Sequence, residues 1–140
     1  MAMTTYLKNK ILDNLFRGSS YTVPGTMYIA LSKTLPTDAG TNCTEPTASS
    51  YERFAVASNT VNWVAANEGS ISNSKALRFN EAQETWTTSA SPITHWAIYD
   101  AATSCNMLFY GSLTRTQEIP GGSILEIPEN GLVTTIINQQ

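Results

Sequence analysis

An antiparallel β-sandwich, jelly-roll-like and of about eight strands, with one N-terminal α-helix, is the fold class that three features of this sequence predict. The first is the stretch Pro92-Ile93-Thr94-His95-Trp96-Ala97-Ile98-Tyr99-Asp100. In a strand, Ile93, His95, Ala97 and Tyr99 point one way and Thr94, Trp96, Ile98 and Asp100 the other. Large apolar groups on both faces mark a central strand covered on both sides. The second feature is a series of short β-prone runs separated by turn signals, with no strand–helix–strand alternation, so the sheets are expected to be antiparallel. The third is that a helical period appears at one place, near the start of the chain.

At 140 residues the chain reads as a single domain, 1–140, with the helix at 4–18 and the sandwich at 26–138. Thr4 or Thr5 is placed to cap the helix. Leu7, Ile11 and Leu15 form one stripe, widened by Leu12 and Phe16, with Lys8, Lys10, Asp13 and Asn14 opposite. Arg17 suits the last turn and Gly18 the left-handed stop. This stripe must be buried: either the helix is a flap over its own sheet, or it is a docking arm for a neighbouring subunit. The short connector Ser19–Gly25 favours its own sheet.

Thr26–Ser32 reads as a strand with Met27, Ile29 and Leu31 on one face. Residues 33–50 almost lack apolar side chains and are broken by Pro36, Gly40 and Pro46, predicting a long exposed, mobile loop. Its acids, Asp38 and Glu45, lack the spacing of a calcium loop. Further strands are expected at Tyr51–Ser58, Val61–Val64, Ser70–Ser74 leading into Ala76–Phe79, Met107–Leu113, and Leu132–Ile137, with Thr116–Ile119 and Ser123–Ile127 flanking a turn. The turns between them carry Asn67-Glu68-Gly69, Pro120-Gly121-Gly122 and Glu129-Asn130-Gly131.

Composition narrows the function classes. Hydrophobic residues make up 41% and charged residues only 14%, with Ser, Thr and Asn supplying the polarity. Such a surface suits a bland monomeric β-protein or one covered by other subunits. A net charge of −3 without any Lys/Arg run argues against nucleic acid as a partner. No apolar run approaches the roughly 20 residues of a membrane helix. The opening Met1–Tyr6 lacks a signal-peptide core, which implies synthesis in a cytoplasm. Cys43 and Cys105 read as free thiols, a disulfide being the alternative.

Catalytic chemistry finds little to stand on. His95 lies among apolar strand residues and reads as a packed, hydrogen-bonded side chain. Glu81 and Glu84 sit in a short polar loop, where two acids are ordinarily just solvated. No nucleophile elbow, P-loop or dinucleotide fingerprint occurs. The expectation is therefore no catalytic residue, no cofactor and no metal. Trp63, Trp86 and Trp96 are core or interface anchors, or else a sugar-stacking platform, with Trp86 the best placed because polar residues surround it. Leu7, Ile11, Leu15 and Trp86 are the candidate interface residues.

Tyr6-Leu7, Ile11-Leu12 and Leu15-Phe16-Arg17-Gly18, followed by Met27-Tyr28-Ile29-Ala30-Leu31, resemble a family of short virion structural proteins of tailed bacteriophages. Members are often labelled phage tail fibre proteins. Pro36–Gly40, Gly69–Asn73, Thr94–Ala101 and Gly111–Leu113 extend the likeness over most of the chain. The resemblance implies a non-enzymatic virion part, made in the host cytoplasm. Its partners would be major capsid or tail proteins and further copies of itself. With no repetitive shaft and no separate tip domain, a capsid decoration or cement protein fits as well as a tail-fibre-associated one. The alternative is a carbohydrate- or receptor-binding module at a fibre tip.

Overall fold

A computed structural model of the chain describes residues 2–135. The elements are β1 (Ala2–Met3), α1 (Thr5–Arg17), β2 (Thr26–Ser32), β3 (Phe54–Ala57) and β4 (Ser70–Ser72), then β5 (Leu77–Arg78), β6 (Ile93–Tyr99), β7 (Met107–Gln117), β8 (Glu126–Ile127) and β9 (Val133–Thr135). Five strands form one antiparallel sheet in the order β1-β7-β6-β2-β3. β4 with β9 and β5 with β8 make two-stranded antiparallel ribbons. The fold is thus mainly β and sandwich-like, its second layer built from short ribbons and connecting segments. Of the expected last strand Leu132–Ile137, residues 136 and 137, like residue 138 at the end of the sandwich, lie outside the described residues.

β6 holds the middle of the sheet. Trp96 and Ile98 register with Leu31 and Ile29 of β2, and with Gly111 and Phe109 of β7. This face merges with Leu77, Phe79, Trp86, Ile119, Ile127 and Leu132 into the main core. On the opposite face Ala97 and Tyr99 register with Ala30 and Tyr28, and with Met107 they form a smaller buried cluster. The two-sided apolar pattern of 93–99 therefore has a physical use on each side. The Trp96 ring lies across the neighbouring strand at Gly111, where a Cβ would stand 2.6 Å from its Cζ2. Only glycine leaves that space free.

Local signals explain the helix. Thr4 has extended backbone and its Oγ1 accepts from the Leu7 N–H at 3.5 Å, while Gly18 at φ 65° ends the last turn. Several expected strands come out differently. Val61–Val64 is not a strand: Asn59 Oδ1 accepts from both the Val61 and Asn62 N–H groups and curls them into a turn, and Trp63 makes only an isolated bridge with Asn73. Thr116 and Gln117 belong to one long β7, with no break after Leu113. Tyr51–Arg53 stay outside β3, their side chains being engaged elsewhere.

The loop at 33–50 also needs correction. It contains neither helix nor strand, but it is pinned. Pro36 and Pro46 are buried. Lys33 N–H donates to Thr44 O at 2.9 Å. Thr34 Oγ1 donates to Asn42 O at 2.6 Å, and Ser32 Oγ accepts from the Thr44 N–H at 3.0 Å. Hydroxyls and prolines do here what apolar anchors do elsewhere, which is why hydrophobic patterning overlooked it.

Candidate interaction surfaces

The first half of α1 is fastened to its own domain. The Thr4 N–H donates to Leu108 O at 3.0 Å, and Thr4 Oγ1 donates to Met107 O at 2.6 Å from a fully buried position. The Thr5 N–H donates to Asp38 O at 2.8 Å, which joins the helix to the 33–50 loop. Leu7 is 6% exposed in the main core, and Tyr6 and Ile11 pack partly against it. Beside them Tyr110 Oη donates to Asp38 Oδ1 at 2.6 Å, and Lys8 Nζ lies 3.5 Å from Asp38 Oδ2. The Tyr110 hydrogen bond, with Lys8 adding to it, holds the Asp38 carboxyl below the usual carboxylate range. The same bond pushes Tyr110 up to about 12.

The second half of α1 faces water. Leu12 is 53% exposed, Leu15 69% and Phe16 81%. Their spacing puts all three on one helix face. Of the candidate interface residues, Leu7 is core, Ile11 is half-buried and Leu15 is free. The stripe has the right period but is split along its length, because only the first turns lie against β7.

Trp86, the fourth candidate, is a correction. It is 4% exposed, stacks edge-on against Tyr51 at 5.2 Å, and donates from Nε1 to Ser50 Oγ at 2.8 Å. The polar residues beside it in sequence do not expose it: Ser50 and Tyr51, more than thirty residues away, cover the ring, so it serves as neither sugar platform nor docking surface. Neighbouring Glu84 has a structural post. Its Oε1 accepts from the Ser49 N–H and Ser49 Oγ, each at 2.6 Å, and these bonds lower its pKa. His95 is half-buried, with its pKa lowered by burial, and its Nδ1 lies 2.7 Å from Thr94 Oγ1. Cys43 and Cys105 are both free, and burial raises the Cys43 thiol.

A polar knot holds the second face of the sheet. The Arg53 guanidinium meets Glu45 at 2.8 and 3.1 Å and donates to Ala101 O and Ser104 O at 3.0 and 3.1 Å. It also lies 3.6 Å over the Tyr99 ring. Tyr51 Oη donates to Glu45 at 2.8 Å while accepting from the Leu31 N–H at 3.0 Å. Burial, then Glu45, pushes Tyr51 far above its usual range. The loop's two acids thus go to separate partners, Asp38 to α1 and β7, Glu45 to Tyr51 and Arg53 just ahead of β3. Sequence reasoning missed this knot; the available signal was a lone Arg beside strand residues in a charge-poor chain.

Two of the clefts formed by the described residues bear on function. One, of about 660 Å³, flanks the Arg53 knot and is lined by Tyr28, Tyr51, Phe54, Glu52, Asn80 and Thr103, among others. The other, of about 340 Å³, lies between the sheet and the 58–71 segment, with Met27, Trp63, Val64, Ile71, Ile98 and Phe109 in its walls and no charged side chain. Among the described residues no three His, Cys, Asp or Glu side chains are grouped to hold a metal ion. No described helix is long and apolar enough to cross a membrane.

Residues 2–135 match a family model described as Gp80, Podophage GP4 fiber I protein gp80. No curated protein matches the chain.

Proposed function

This chain belongs to the Gp80 family of podophage GP4 fiber I proteins, a tail-fibre-related component of a bacteriophage virion, and on that footing we propose that it is a small, non-enzymatic structural module acting through protein–protein contacts. Its partners are neighbouring virion proteins and further copies of itself. The family description supports a fibre-associated position over the capsid-decoration one. The observation that carries the contact reading is the exposed Leu12–Leu15–Phe16 face on a helix whose other end is bolted to the domain. Three large apolar side chains together in water, on a rigid support, are the usual mark of an interaction site.

Incorporation into phage particles tests this directly. Leu15→Asp is expected to leave the melting temperature unchanged, since the side chain is exposed, and to lower incorporation at least tenfold. Incorporation at wild-type levels would overturn the reading.

Carbohydrate binding is the second reading, and one observation favours it. The cleft beside Arg53 brings Tyr28 and Phe54 together with the Glu52 carboxylate and Asn80, whose Nδ2 donates to Glu52 at 2.5 Å. Aromatic faces beside such hydrogen-bonding groups suit a sugar ring. Glycan binding lost in Tyr28→Ala with folding intact would support it; no binding to a broad glycan panel would remove it.

A further inference from the structure

We propose that the exposed face of α1 in one copy seats in the apolar 340 Å³ cleft of a second copy, joining chains head to tail. This rests on the contact reading above and names the occupant. The two surfaces match in chemistry. One is a ridge of Leu12, Leu15 and Phe16 with nothing covering it. The other is a groove walled by Trp63, Val64, Ile71 and Phe109 that no described residue fills.

Charge selects the second copy as occupant. Lys8, Lys10 and Arg17 against Asp13 give α1 a charge of +2, and since the whole chain carries −3, everything outside the helix carries −5. The basic helix of one copy is therefore drawn to the acidic body of another. The groove has no charged wall, so these charges stay at its wet rim. The rival geometry, helix against helix across a two-fold axis, brings like charges together and leaves both grooves empty. Ridge and groove are different patches, so the contact is heterologous: it closes as a ring or runs on as a string.

Sedimentation velocity over a range of concentrations tests the proposal. The wild-type chain is expected to associate increasingly with concentration, and less so at high salt. Phe16→Asp, on the ridge, and Val64→Asp, on the groove, are each expected to weaken association at least tenfold. Mixed together, they should form dimers that grow no further, because one intact ridge then meets one intact groove. Thr60→Arg at the cleft lip repeats the groove test if Val64→Asp melts early. A chain monomeric at every concentration overturns the proposal, as does a mixture that stays monomeric or a pair of folded groove variants that associate like wild type. If self-association is absent while Leu15→Asp still blocks incorporation, the head-to-tail contact falls and the proposed function stands.

Discussion

Replacing Arg53 by leucine removes the centre of the knot that ties three segments together. The Arg53 side chain is only 8% exposed and that of Glu45 23%. The substitution strands the Glu45 carboxylate and leaves Ala101 O and Ser104 O without their donor. It also removes a cation from 3.6 Å above Tyr99. Breaking a buried pair by deleting one partner costs ~3–5 kcal/mol, whereas exposed pairs are worth ~0–1 kcal/mol. The water-facing edge of Glu45 puts this pair near the lower end of the buried range, about 3 kcal/mol. For a chain of this size that corresponds to a fall in Tm of roughly 10 °C. Circular dichroism melting reads it. Limited proteolysis adds a local readout, since the 33–50 loop should become cleavable once Glu45 loses its anchor. Adding Glu45→Leu should return part of the loss, because the stranded charge is then gone. A fall below about 3 °C in the single variant would refute the reasoning and class the pair with surface pairs.

Three further outcomes are expected. Gly111→Ala drives a methyl group into the Trp96 ring 2.6 Å away and should cost ~1–3 kcal/mol by overpacking; unchanged denaturant unfolding would contradict the close approach. Ile11→Ala, at a half-buried site, should cost about 1–2 kcal/mol, below the ~2–5 of a fully buried position, while Leu15→Ala melts like wild type. Asp38 is held below its ordinary pKa by Tyr110 and Lys8, so its small stabilising contribution is present above the ordinary carboxylate value of about 4 and is lost as pH falls through the lower folded value. Tyr110→Phe should move the Asp38 titration, followed by NMR, back up towards the ordinary value; an unmoved titration would show that Tyr110 is not the cause.

Much of the fold was legible because its causes are local. Thr4 and Gly18 delimit α1 through bonds and dihedrals within a few residues, and periodicity alone placed Leu7 on the inner face. The central position of 93–99 followed from apolar groups on both sides of one strand. Turn residues located most strand ends. Where local chemistry was misread, as at Val61–Val64, the deciding group was one Asn59 side chain that captures two backbone N–H groups before a ladder can.

The surfaces were another matter, because each depends on what lies opposite in space. Leu7 and Leu15 belong to one apolar stripe, about 80° apart on a helical wheel. One is 6% exposed and the other 69%, because the start of α1 is fastened to Met107 and Leu108 of β7 while Leu15 stands clear of the core. Trp86 looks exposed among polar neighbours, yet Ser50 and Tyr51, distant in sequence, close over it. The knot needs Arg53, Glu45, Ala101 and Ser104 at one point, and no spacing in the chain announces that meeting. Sequence by itself determined the helix and the paired central strands Thr26–Ser32 and Ile93–Tyr99, and that a two-faced core forms. Tertiary structure alone decided which apolar and charged groups remain at the surface, since burial belongs to the pair of facing elements and not to either element's own pattern.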